Sequence, residues 1–402
     1  MSPALHRLGP DPRLVIVCAC LTALITFGAR AGFGLFLEPM TAANGWSREL
    51  FALAIAVQQI LWGVSQPVAG AFADRFGPTR VLMTGAVVFF AGMATMAMAS
   101  EPWMLFLSAG LLIGIGGGAA SFGIVMAAAG RLVPAAERSR SLGLIMAASS
   151  LGQFLLVPLG QGFILAWGWP VALVLLGALV LLVVPLSLPF RHDRGSAAVA
   201  GQTLGAALKE AVGHRSFLLL FAGFFVCGYH VAFIQVHLPA YVVDAGVAAW
   251  IGGWALALVG LFNIVGSYSA GVLGGRRSKK NLLSLIYLAR AVVIALYVAL
   301  PISAASTLAF AAAMGLLWLS TVPLTSGLIA VMFGPRYFAT LFGLVFFGHQ
   351  LGAFLGVWLG GYLFDRTGSY EIVWWISIAL GLLAAALHWP IEERPVARLQ
   401  PA

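Results

Sequence analysis

Five basic side chains stand in stretches that are otherwise apolar: Arg30, His230, His237, Arg290 and His349. A charge at mid-membrane depth costs about 3 kcal/mol or more, so each needs a partner or a wet cavity. No acid lies at that depth, because all thirteen fall at the ends of apolar runs, in connectors or in tails. A cationic cavity that receives an anion is the economical reading. The Arg30 guanidinium fork matches the two oxygens of a carboxylate. The blander role for it is a bond to helix carbonyls near the outer surface. His230 and His237 are seven apart and share a helix face, with Tyr229 and Gln235 close by. A histidine gains a proton near neutral pH and then attracts an anion, which couples substrate to proton without a carboxylate. The alternative is a neutral histidine bonded between helices, and His237 lies nearer the outer rim. His349 and Gln350 stand at the middle of a later run. Asn263, Gln58, Gln59, Gln153, Ser320, Thr321 and Thr325 either bond substrate or glue helices, and glue is the commoner fate. Gly114, Gly116, Gly117 and Gly118 lack a following Lys-Ser/Thr, so they read as a close-packing surface rather than a phosphate loop. Metal-ligand spacing and nucleophile triads are absent from the sequence, so the expectation is a non-enzyme with no cofactor and no metal.

These residues sit on apolar runs long enough to cross a bilayer, roughly 20 residues each. The runs fall at about 14–37, 49–73, 81–100, 103–129, 141–165, 169–190, 216–240, 250–274, 281–300, 304–333, 338–364 and 371–390. The longest polar stretch, Arg191 to Arg215, divides them six and six. The expected fold is an all-α membrane protein with twelve transmembrane helices in two pseudo-symmetric six-helix halves. Residues 1–190 and 216–402 form the halves, and a cytoplasmic loop, 191–215, joins them and carries a short surface helix from Thr203.

Composition agrees. The chain is 61% hydrophobic and 9% charged, where a soluble domain averages about 25% charged. Its net charge of +9 sits in short connectors, so membrane topology rather than nucleic acid explains it. Eighteen of the 22 Lys and Arg lie on the side of the N-terminus, and only Arg48 and Arg366 on the other. This bias puts both termini in the cytoplasm. The three cysteines fall in apolar runs and imply no disulfide framework. The first run lacks a cleavage site and reads as a retained helix.

The two halves repeat at an offset of 200 residues. Gly28, Phe33 and Pro39 recur as Gly228, Phe233 and Pro239, and Gly143, Leu144, Leu151 and Gly152 as Gly343, Leu344, Leu351 and Gly352. Such a repeat marks a pseudo-symmetric transporter with its site between the halves. It sets Arg30 opposite His230, and His349 opposite Ser149.

The segment Gly70-Ala-Phe-Ala-Asp74-Arg75-Phe-Gly77-Pro-Thr-Arg80 resembles the signature loop of the major facilitator superfamily. Here Gly70 is expected to let two helices approach, Asp74 to pair with helix ends or Arg side chains across the cytoplasmic mouth, and Gly77 to make the turn. Gating is assigned to Gly70, Asp74, Arg75, Gly77 and Arg80. The related loop in the second half has Gly275 near the place of Asp74. Phe27-Gly28 through Pro39, Gly45-Trp46-Ser47-Arg48 and Ser149 to Gln161 resemble the bacterial monocarboxylate and oxalate–formate branch. That resemblance implies a cation in helix one, close to Arg30, and a titratable group at His349. It also implies an arginine in helix eight, where this chain offers Asn263 and no cation. In that fold helix one lines the central cavity and helix nine is peripheral. Arg290 is therefore expected to bond neighbouring helices or snorkel.

The expectation is a monomeric secondary transporter of the bacterial inner membrane. It moves a small organic anion, monocarboxylate-like, with protons. Substrate binding falls to Arg30, Tyr229, His230, Asn263, His349 and Gln350, and proton coupling to His230, His237 and His349. The rivals are proton-driven efflux of drug-like or chelate-like compounds, which usually wants a deep acid when the cargo is cationic, and a non-transporting membrane sensor or scaffold.

Overall fold

The structure is a computed structural model that describes residues 11–134, 137–192, 203–334 and 337–399. Among these there is no strand. Helices close every backbone hydrogen bond within one segment, which is what hydrocarbon demands of a spanning element. The first crossing is α1 (Pro12–Ala31), a 3-10 turn over Phe33–Phe36 and α2 (Leu37–Asn44). Next come α3 (Arg48–Phe76) and α4 (Pro78–Ala97). The fourth crossing is α5 (Pro102–Leu105), a π turn over Phe106–Leu112, α6 (Ile113–Ala119) and α7 (Phe122–Leu132). Then follow α8 (Arg138–Leu181), α9 (Val183–Leu186) and the connector helix α10 (Leu204–Val212). The rest is α11 (Arg215–Asp244), α12 (Ala249–Gly274), α13 (Lys279–Ala299), α14 (Ala304–Leu317), α15 (Thr321–Phe333), α16 (Phe338–Thr367) and α17 (Glu371–His388). Residues 193–202 of the expected connector lie outside the described residues.

Eleven of the described helical stretches are long and apolar enough to cross a membrane. The twelfth crossing is hidden in α8. Its 44 residues would reach about 66 Å if straight, twice a hydrocarbon core. The helix is broken at Gly168, with φ 79° and ψ 167°. A Cβ on Gly160 would stand 3.2 Å from Leu176 Cδ1. Sixteen residues of straight helix would keep those positions about 24 Å apart, so the chain doubles back at Gly168.

Two of the three repeated glycine pairs, Gly28 with Gly228 and Gly152 with Gly352, are points where helices touch. A Cβ on Gly28 would run into the Gly152 carbonyl, and one on Gly152 into the Leu24 carbonyl, which locks α1 on α8. The same contact recurs in the second half. Gly228 meets the His349 carbonyl and Gly352 the Phe225 carbonyl, which locks α11 on α16. Across the halves α3 packs on α16, and α12 on α8. These pairings exchange under the same offset, so the packing shares the symmetry of the sequence. Leu14, Val64, Leu165, Val265, Leu285 and Trp375 point outward, and the bundle's outer face is apolar.

Two sequence expectations change. The fourth and tenth crossings are broken rather than continuous. Between α6 and α7, Ala120 (φ −90°, ψ 23°) leaves the helix and Ser121 (φ −71°, ψ 150°) is extended. Between α14 and α15 the break spans Trp318 to Ser320. A glycine run weakens the first helix before its break, and Pro323 sits in the opening turn of α15. The breaks are also equivalent: Ser121 and Thr321 are 200 residues apart. The second change is Gly70, expected to seat a neighbouring helix. Nothing lies within 4 Å of its would-be Cβ, because the halves part at this end.

Candidate functional site

Arg30 ends α1 and reaches the mid-bundle cleft. Its Nη1 donates to Gln59 Oε1 at 3.0 Å, and its Cζ lies 3.8 Å above the Trp62 ring. No ion pair among the described residues includes Arg30. One amide oxygen and an indole face leave most of a guanidinium's donors unused. Thr26, Phe27, Trp62, Ser121 and Phe122 line the same cleft.

From Gln59 a chain of hydrogen bonds crosses to the other half. Gln350 Nε2 donates to the Gln59 carbonyl at 3.1 Å. His349 Nδ1–H donates to Gln350 Oε1 at 2.9 Å. The His349 ring stacks on Phe346 at 5.6 Å, and Phe346 meets Trp62 edge-on at 5.5 Å. Arg30, His349 and Gln350 thus converge, by way of Gln59 and Trp62. Of these two intermediaries, Gln59 belongs with the polar candidates of the sequence, while Trp62 carries no polar signal of its own there.

The other expected site residues lie elsewhere. His230 is fully buried, and its Nε2–H donates to the Ser377 carbonyl of α17 at 2.8 Å. Tyr229, also fully buried, lies against α16, where Gly356 packs on its backbone. Neither faces the Arg30 cleft. His237 Nε2–H donates to the Val357 carbonyl at 2.8 Å, and Nδ1 accepts from the Tyr370 hydroxyl at 3.1 Å. Asn263 is fully engaged between helices. Its Nδ2 donates to Ser150 Oγ at 2.9 Å, and its Oδ1 accepts from Ser267 Oγ at 3.0 Å and the Leu319 amide at 2.9 Å. Its present work is to tie the break in the tenth crossing to α8. Helical spacing gives a residue's face but not which neighbour that face meets, and this is why these positions were not separable in sequence.

Arg290 spends Nε and Nη2 on backbone carbonyls, and its buried Nη1 has no partner among the described residues. It is fully buried on α13. Nε and Nη2 donate to the Leu317 carbonyl at 3.2 and 2.7 Å, and Nη2 also to the Trp318 carbonyl. It caps the negative end of α14 at the break. The Cys227 thiol and the Thr321 hydroxyl adjoin it, 3.3 Å apart.

At the face opposite the termini the halves are clamped. Arg48 Nη1 and Nη2 donate to the two Asp244 oxygens at 2.5 and 2.7 Å, and Nη1 to the Tyr370 hydroxyl at 3.1 Å. The Arg48 guanidinium also stacks 3.9 Å from the Phe364 ring. Asp365 accepts from the backbone amides of Arg48 and Glu49 at 3.2 and 2.7 Å, and Arg366 pairs with Glu49 at 3.1 Å. His237, through Tyr370, belongs to this clamp. At the other face Asp74 pairs with Arg131 of its own half at 3.5 Å, not across the mouth as expected. Arg75 and Arg80 are exposed there, and Gly77 makes the expected turn with φ 90°. Gly143 and Gly343, matched by the repeat, have open space in front of them. The bundle is closed at the far face and open towards the termini.

Comparison with known proteins agrees with this architecture. The model of the Major Facilitator Superfamily matches residues 19–321. Monocarboxylate transporter 13 of Bos taurus is 29% identical over 96% of this chain and 92% of its own. Monocarboxylate transporter 11 of Homo sapiens is 30% identical over 84% of this chain and 73% of its own. The solved inward-open conformation of the xylose transporter XylE from E. coli superposes with a TM-score of 0.73. It is 16% identical and covers 95% of this chain and 96% of its own.

Proposed function

The chain belongs to the Major Facilitator Superfamily, and on that premise we propose that it carries a small monocarboxylate across the membrane together with a proton. One observation carries the reading: an arginine with no acid partner among the described residues, joined through Gln59 and Gln350 to a histidine of the opposite half. Arg30 supplies the charge that a carboxylate answers, and its fork takes two oxygens. His349 is the titratable group of that chain, so the proton is assigned to it and not to His230 or His237. Similarity to monocarboxylate transporters supports the substrate class. The halves rock about this site, closed now at the Arg48 face and alternately at the Asp74 face. We place it in the bacterial inner membrane, and the distribution of Lys and Arg supports cytoplasmic termini.

The test is uptake of labelled L-lactate and acetate into vesicles that hold the purified protein, with the outside acidic. Arg30→Ala is expected to abolish uptake and to remain monodisperse. His349→Gln is expected to keep lactate binding but lose the acceleration by acid. Normal uptake by Arg30→Ala would sink the reading.

A further inference from the structure

We infer that the substrate carboxylate docks at the break in the fourth crossing, between the Arg30 guanidinium and the first turn of α7, with the Ser121 hydroxyl as a donor. This rests on the transport reading and specifies its site.

The argument comes from comparing two equivalent breaks in one molecule. In the second half the break is satisfied from within. Thr321 Oγ1 lies 3.3 Å from Cys227 Sγ, the Leu319 amide donates to Asn263, and Arg290 covers the Leu317 and Trp318 carbonyls. In the first half the same offset puts Phe27 where Cys227 stands, and Phe90 where Arg290 stands. Neither phenylalanine can answer a hydroxyl or a helix end. Ser121, the counterpart of Thr321, is 3% exposed and its Oγ has no partner. The eleven-residue helix α7 follows Ser121, which makes no side-chain cap to it. Its first amides and the dipole behind them favour an anion. Ser121 and Arg30 line one cleft. So a buried hydroxyl, an uncapped helix end and a cation with unused donors face one space, and all three want the same thing.

The cleft is narrow, about 20 Å³, room for one water-sized group. One carboxylate oxygen enters it and bonds Ser121 and the α7 turn. The other stays on Arg30, and the remainder of the substrate lies in the mouth open towards the termini. Phe27, Trp62 and Phe122 wall the cleft and keep water from competing.

The experiment uses the full-length protein with L-lactate as probe and chloride as the inorganic control. Lactate is expected to raise the melting temperature of the wild type, and Ser121→Ala should need about tenfold more lactate for the same shift. In vesicles, Ser121→Ala should raise the lactate KM about tenfold, as loss of a hydrogen bond to a charged group does, with kcat little changed. Ser121→Thr, which keeps the hydroxyl, should restore it. Phe27→Cys places the second half's thiol beside Ser121 and should raise KM in the same way. A wild-type KM in both Ser121→Ala and Phe27→Cys would overturn the site, as would an equal melting shift from chloride. If Arg30→Ala loses uptake while those two variants keep wild-type KM, this site fails and the transport reading stands. If the wild type carries no carboxylate, the transport reading fails, and a lactate shift that depends on Ser121 still supports the site.

Discussion

Breaking the clamp at Arg48 should tip the molecule out of the conformation described. Arg48 makes a bidentate bond to Asp244, one to Tyr370 and a stack on Phe364. Its side chain is 14% exposed and that of Asp244 33%. An exposed pair is worth about 0.2–1 kcal/mol, and breaking a buried one costs about 3–5. Partial exposure places this clamp near 2 kcal/mol, or a factor of about 30 in an equilibrium. All of these contacts join α3 to the second half, so they vanish when the far face opens and count in full towards the shift. A protein resting about 10:1 in this state would move to about 1:3 in Arg48→Ala. The assay is pulsed electron resonance between labels on Gly143→Cys and Gly343→Cys, with native cysteines replaced. These positions face open space at the other mouth. Arg48→Ala should move the distance distribution to shorter values. Asp244→Ala should do the same, and the double variant should add little, since both remove one interaction. Unchanged distributions in both single variants would refute the clamp.

Two further outcomes test the frame around the site. Gly152→Val drives a side chain into the Leu24 carbonyl and should cost about 3 kcal/mol, seen as a lowered melting temperature. Gly162→Val, on the same helix with nothing within 4 Å, should cost little. At the terminal face, burial alone would raise the Glu393 carboxyl. Bonds from Ser278 and the Lys280 and Lys279 amides, with the Lys279 charge, hold it below its ordinary value instead. A lowered carboxyl stabilises the fold above its unfolded value and stops doing so as pH falls through the folded one. Wild type should therefore melt above Glu393→Gln at neutral pH, and the gap should close on acidification. A gap that widens in acid would contradict this.

Crossings, symmetry and the locking glycines were legible because each depends on local pattern. Apolar length gives a span, and an offset of 200 gives its partner. The site was only partly legible. Arg30 stood out because a charge in an apolar run is costly. Arg290 does bond a neighbouring helix as expected, but which groups it meets was hidden, since they are backbone carbonyls that no side-chain pattern announces. The clamp was hidden because Arg48 meets Asp244 across 196 positions and Asp365 across 317. Ser121 carried a usable signal. Thr321 was already a candidate, and the offset points straight from it to Ser121.

The absence of an acid at mid-depth decides how charge moves through the proposed cycle. The empty site holds Arg30 as its one fixed charge. A bound monocarboxylate cancels it, and a proton on His349 restores it. Loaded and empty carriers then present the same net charge to the membrane, so a complete cycle moves no net charge through the potential. The two ligands also assist each other. A proton on His349 faces a positive wall until the anion neutralises Arg30, and by linkage the anion binds more tightly once the proton is present. The link need not break to do this. Gln350 holds the backbone carbonyl of Gln59, while Arg30 holds its side chain. A carboxylate can displace the Gln59 amide from Arg30 and leave the bond between the halves in place. In the second half Arg290 spends Nε and Nη2 on the break beside it. On the proposed cycle, one arginine serves the fold and the other is left for the cargo.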